Sequence, residues 1–76
     1  MNRPSVSAVY KIRVQGRLDK ARQVWFGSMT LSYDARGNTV LRGPADQAAL
    51  HGVLERVRDL GLPLLSVRRI PPDAPE

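Results

Sequence analysis

Two groups of residues in this chain have the types and spacing to do chemistry: the single histidine with its neighbours, and the twelve basic residues, ten of them arginine. His51 precedes Glu55 by one turn of a helix, a spacing at which a carboxylate can orient an imidazole as a general base. On a helical wheel His51 falls at the edge of the polar side with Gln47, Glu55 and Arg58, away from Leu50 and Leu54. No nucleophile and no second ligand accompanies it, so the plain reading is a surface or boundary histidine. Catalysis or small-molecule binding at a dimer cleft is the third reading of the chain, after two non-catalytic ones.

The basic residues form a pattern with more content. In residues 8–15 Ala8, Tyr10, Ile12 and Val14 alternate with Val9, Lys11, Arg13 and Gln15, as on a half-buried strand with a polar outer face. Thr30 and Ser32 are expected on that same outer face, together with Arg68 or Arg69 from the last strand. Lys, Arg, Ser and Thr on one sheet face can hold phosphates. Sheets that read RNA also present aromatic rings for stacking bases, and Tyr10 and Tyr33 fall on the opposite, core-facing side. The alternatives are an anion or nucleic-acid surface through Lys11, Arg13, Arg68 and Arg69, and a merely solvated face.

Other chemistries lack their residues. The six glycines are spaced as punctuation, with no GxGxxG and no GK[ST] run for a phosphate loop. Asp34, Asp46 and Asp59 suit a turn, a cap and a helix surface, and no pair is set for acid–base work. The chain has no cysteine, which rules out disulfides and thiolate metal sites, and one histidine is too few for a dedicated transition-metal centre. No cofactor and no metal is expected, and an enzyme is the less favoured class. The formal charge of +5 favours an anionic partner, although it also serves simple solubility.

The elements that must position these residues are legible. Leu50, Val53, Leu54, Val57 and Leu60 recur at helical spacing, which predicts one amphipathic helix over 46–60. Asp46 is its N-cap, and Gly61 with Pro63 stops it. Gly52 in mid-helix costs about 1 kcal/mol against alanine, which points either to close approach of another backbone, a strand or a partner chain's helix, or equally to a glycine merely tolerated there. Residues 18–26 read as a short helix with Leu18, Ala21 and Trp25 on one side. Residues 29–33 and 39–42 are two short strands joined by a hairpin loop at Asp34–Asn38, Gly43-Pro44 breaks the second, and Leu64 begins a last strand ending at Ile70. The fold class is therefore α+β: a four-stranded, mostly antiparallel sheet with one main helix (46–60) and a short helical segment (18–26), reduced ferredoxin-like in order. About twelve residues between the first two strands are near the minimum for a crossover, so a three-strand meander stays open as the alternative.

At 76 residues this reads as one domain with an ordered core of about 8–70 and frayed tails at 1–7 and 71–76. No apolar run spans a bilayer and no signal-peptide core is present, so the expected setting is cytoplasmic without membrane contact.

From Gly43 onward the sequence GPADQAALHGVLERVRDLGLPLLSVRRI resembles the C-terminal half of a set of small, uncharacterised bacterial proteins. Their signature is GP…DQAALHG-L…R-RDLGLPLLSV. YKIRVQGRLD and the WF pair before MTLSYDARGNT resemble the matching first half. The resemblance implies a compact bacterial domain and brings no catalytic residues with it.

One physical mismatch shapes the functional expectation. A helix is about 10 Å across, whereas four strands span roughly 15–20 Å, so a single helix leaves about half of one sheet face bare. Trp25 and Phe26, the largest apolar side chains, are expected either to cover that remainder or to form an exposed contact. With no metal or disulfide to finish a small core, the expected function is a non-catalytic, self-associating interaction or regulatory module, a homodimer joined near Trp25/Phe26 or at a sheet edge.

Overall fold

The structure, a computed structural model, describes residues 8–71. The frayed tails expected at 1–7 and 71–76 lie outside the described residues, apart from Pro71. Four strands, β1 (Ala8–Val14), β2 (Thr30–Tyr33), β3 (Thr39–Ala45) and β4 (Leu64–Ile70), form one sheet in the order β2-β3-β1-β4. Every neighbouring pair is antiparallel. The meander is therefore not formed. β3, rather than β2, lies beside β1, and each of the two longer connections leads to a strand one place removed from its start. A 3-10 segment (Lys20–Phe26) makes the first connection, and the helix α1 (Gln47–Asp59) makes the second.

The main helix follows its sequence signals closely. The Asp46 carboxylate accepts the Ala49 N–H at 2.8 Å, occupying one of the amides that the first turn leaves unpaired. At the far end Gly61 takes a φ of +75°, and the Leu62 N–H reaches back to the Val57 carbonyl. Leu50, Val53 and Val57 are buried, while Leu54 and Leu60 pack against the core's edge.

The first connection departs from its expected form. Residues 20–26 wind as a 3-10 helix, whose three-residue period aligns Gln23 with Phe26 and Arg22 with Trp25. The inward side of the segment is thus Gln23 and Phe26, with Ala21 and Trp25 exposed, while Leu18, just ahead of it, is buried in the core. Asp19 caps the segment by accepting the Ala21 N–H, and Gly27 ends it at φ +63°. Only seven residues long and tied at both ends, it leaves little room for an α-helix to propagate.

β3 runs three residues past Arg42, through the break expected at Gly43-Pro44. β1 is seven residues long and pairs with all of it, Val9 standing opposite Pro44 and Ala8 opposite Ala45. Pro44 is tolerated because β2 has already begun by Thr30, opposite Arg42, so β3 needs no N–H on that side. Gly43 is demanded by packing: a Cβ there would lie 2.9 Å from both Met29 Cα and the Ser28 carbonyl oxygen.

The core sits between the sheet and its two helical covers and contains Ile12, Val14, Phe26, Met29, Leu31, Leu41 and the helix stripe. Its one buried polar side chain among the described residues, Thr39, is fully engaged. Its hydroxyl accepts the Leu18 N–H and donates to the Gly16 carbonyl, both at 2.8 Å, which fixes the start of the first connection. Tyr33 pins the same loop: its hydroxyl donates to the Leu18 carbonyl while Arg17 lies 3.8 Å above its ring.

Candidate functional site

The sheet has two unlike faces, and the strand register decides which residues share each. Ile12, a core residue, stands opposite Val67, so Val67 lies on the helix side of β4, as do Leu65 and Arg69. A register shift between Arg13 and Val14 sets Leu64 opposite Val14 and brings it to the same side. Among the described residues nothing covers these side chains fully: Leu64 is 49%, Leu65 43% and Val67 39% exposed. The cause is the position of α1, which packs toward β3 and the 3-10 segment rather than β4.

The two flanks of α1 show the same asymmetry. Ala49, Gly52, Val53 and Arg56 border a cleft of about 190 Å³ shared with Trp25 and Phe26. The opposite flank, His51, Leu54, Glu55 and Arg58, lines an open depression of about 340 Å³ and shares no lining residue with the cleft beside Trp25 and Phe26.

Of the two aromatic residues expected to cover the sheet or to form a contact, Phe26 takes the first role. It is 1% exposed and belongs to the core, so it offers no contact surface. Trp25 remains 40% exposed, with the guanidinium of Arg22 at 4.5 Å and that of Arg56 at 5.9 Å from its ring. It thereby ties the 3-10 segment to α1. Among the described residues Gly52 meets nothing within 4 Å where a Cβ would stand, so the close backbone approach expected there is absent among them. His51 is exposed and shares its flank with Glu55 and Arg58, without a serine, threonine or tyrosine beside it on that flank.

The outer face carries the basic residues. Lys11 stands opposite Arg42 on one side and Arg68 on the other, and Arg42 stands opposite Thr30. One row across all four strands therefore reads Thr30, Arg42, Lys11, Arg68. The next row reads Ser32, Val40, Arg13, Ser66, and on the other side Pro44, Val9 and Ile70 form an apolar row. At the β2 end lies an open depression of about 510 Å³, bordered by Val9, Ser28, Thr30, Ser32, Arg42 and Pro44.

Lys11 and Arg68, singled out from the sequence, are thus brought together. Arg13 is in the neighbouring row and forms an ion pair with Asp34 at 3.0 Å. That guanidinium holds the Asp34 carboxyl below its usual range; desolvation opposes it, and the N–H groups of Asn38 and Arg36 reinforce it. Arg69 stands opposite Tyr10 on the helix side, so it is separated from the other three. Arg42 was missed. Its signal was available: counting back across the hairpin from Tyr33 and Thr39 sets Arg42 opposite Thr30, which puts it on the hydroxyl-bearing face.

A four-stranded antiparallel sheet covered on one side by one α-helix and a 3-10 segment, with an apolar strip and a basic face left open, defines a small α+β domain. Among its described residues no helix is long and apolar enough to cross a membrane. The chain belongs to the family described as "Domain of unknown function (DUF8691)", whose model matches residues 9–68 and so takes in all six elements. None of the curated proteins and none of the solved structures compared with the chain matches it.

Proposed function

We propose that this protein is a small, non-catalytic interaction or regulatory module that works as a homodimer, joined through the helix side and free edge of β4. The reading places it in a bacterial cytoplasm on a reduced ferredoxin-like scaffold, which the strand order and the two crossovers support. One observation supports the association above all others: Leu64, Leu65 and Val67 are exposed together on one strand at the sheet's edge. Three adjacent large aliphatic side chains left in water favour a cover, and a strand edge supplies unpaired backbone groups beside them.

A second copy fits this surface by its charges. If two β4 strands pair antiparallel about a two-fold axis, centring on Arg68 or Arg69 would oppose like charges. Centring on Val67 sets Arg68 against Ser66 of the second copy and Arg69 against Leu65, with the two Val67 side chains in contact. The two helices then run antiparallel along the joined strip. Glu55 and Arg58 put both signs of charge on the one flank they line, which suits a surface that meets its own copy.

Sedimentation equilibrium tests the reading. The wild-type protein is expected to be a dimer at micromolar concentration, and Val67→Lys a folded monomer by the same measurement and by circular dichroism. A wild-type protein that stays monomeric at that concentration would overturn it.

A further inference from the structure

The cleft between the 3-10 segment and α1 has the size and the chemistry of a small ligand site. We infer that it binds a small organic carboxylate whose apolar body is a single ring, with Arg56 holding the carboxylate. The inference does not depend on self-association, because the cleft shares no lining residue with the β4 strip or the His51 flank.

Volume sets the size of the occupant. The cleft measures about 190 Å³. An apolar cavity of about 150 Å³ takes one benzene ring, whereas sites for drug-sized molecules begin near about 300 Å³. One ring with a short arm therefore fits, and a nucleotide does not.

The lining sets its chemistry. Phe26, Met29, Ala45 and Val53, all more than nine-tenths buried, give the cleft an apolar base, and the partly exposed Trp25 stands beside them. Trp25 and Phe26 offer ring faces and edges, and Met29 a polarisable sulfur, all of which favour an aromatic body. The Ser28 hydroxyl, also on the lining, is already engaged, donating to the Pro44 carbonyl at 2.9 Å. Charge of one sign only is supplied. Arg56 is the single charged residue of the lining, no carboxylate borders the cleft, and Arg22 lies over the Trp25 ring. Neither arginine is in an ion pair with a carboxylate among the described residues. The Arg56 guanidinium is 5.9 Å from the Trp25 ring, near the outer limit of a cation–π contact, so its N–H groups are able to donate to a carboxylate.

Gly52 fits the same account. Glycine weakens α1, and no contact among the described residues requires it, since the place of its Cβ is empty. A larger side chain on this lining position would take up part of the cleft, and glycine keeps it open.

Titration of the whole chain with phenylacetate, followed by proton–nitrogen correlation NMR, tests the inference. The Gly52 and Ala49 amides and the Trp25 indole N–H should shift saturably, with a dissociation constant on the order of 1 mM for so small a ligand. Phenylethanol, which has the ring without the charge, and acetate, which has the charge without the ring, should each bind at least about tenfold more weakly. Arg56→Gln should weaken phenylacetate about tenfold and leave phenylethanol unchanged. Gly52→Leu should abolish binding while unfolding no earlier in urea than the wild type. A tripeptide ending in phenylalanine should bind no tighter than phenylacetate. No saturable shift at these positions, parity of phenylethanol with phenylacetate, binding retained by Gly52→Leu, or tighter binding of the tripeptide would each overturn the inference. Arg56→Gln, a single exposed change, keeps the charge dependence readable should Gly52→Leu fail to fold.

Discussion

Alanine at two glycines should move stability in opposite directions, and the structure gives both magnitudes. Gly52 lies on an exposed flank of α1 with nothing within 4 Å of the position a Cβ would take. Gly52→Ala adds no clash and removes the glycine's helix penalty, a gain of about 1 kcal/mol. Gly43 has no positive φ to protect, so alanine is conformationally acceptable and restricts the unfolded chain by a similar amount. Its Cβ, however, would lie 2.9 Å from two backbone atoms, Met29 Cα and the Ser28 oxygen, and ordinary contact begins at 3.4 Å. Backbone atoms cannot turn aside as a side chain can, so β2 and β3 must separate by about half an ångström at the start of their pairing. Overpacking of this kind costs about 1–3 kcal/mol, so the net runs from about zero to a loss of about 2 kcal/mol. Urea unfolding at one fixed protein concentration, followed by Trp25 fluorescence, should separate the two variants by about 1–3 kcal/mol, with Gly52→Ala above the wild type and Gly43→Ala at or below it. In a domain this small each kcal/mol shifts the melting temperature by about 4–8 °C, so thermal scans offer a second reading. A Gly43→Ala protein more stable than the wild type would refute the packing account. A destabilised Gly52→Ala would show that another surface rests on that flank.

Two further outcomes follow from the polar contacts. Thr39→Val keeps the buried volume but leaves the Leu18 N–H without its acceptor, and should cost about 1–3 kcal/mol in denaturant unfolding. Asp34 is held below its usual carboxylate range, so its ion pair with Arg13 stabilises the fold above the unfolded-state pKa near 3.8 and ceases to do so as pH falls through the lowered folded value. Asp34→Asn should therefore be less stable than the wild type at neutral pH, the gap closing in acid; a gap that does not narrow below about pH 3 would contradict the assignment.

Where sequence and structure agree, the controlling interactions are local. Asp46, Gly61 and the Leu50–Val57 stripe act within one helix, and the alternation in β1 needs only its own seven residues, so both were legible. Residues 20–26 were harder because Gln23 and Phe26 are turned inward by a three-residue period imposed by the tethers at Asp19 and Gly27. The extent of β3 was hidden because it depends on β1 as its partner, and Pro44 argues against it locally. The basic row has the same character: Lys11 and Arg68 were visible as outer-face residues, but their union with Arg42, and the separation of Arg69, follow from register across three strand pairs. The uncovered side of β4 was anticipated in width but not in place, because the lean of α1 toward the 3-10 segment is a matter of tertiary packing.

At the opposite border of the sheet, the Gln23 side-chain oxygen accepts the Leu31 N–H at 2.9 Å. This glutamine acts as a stopper, since it fills the hydrogen-bonding position that an incoming strand would need. With β2 plugged at this position and β4 available, the proposed pairing would have a single productive direction and would end in a finite pair rather than a filament.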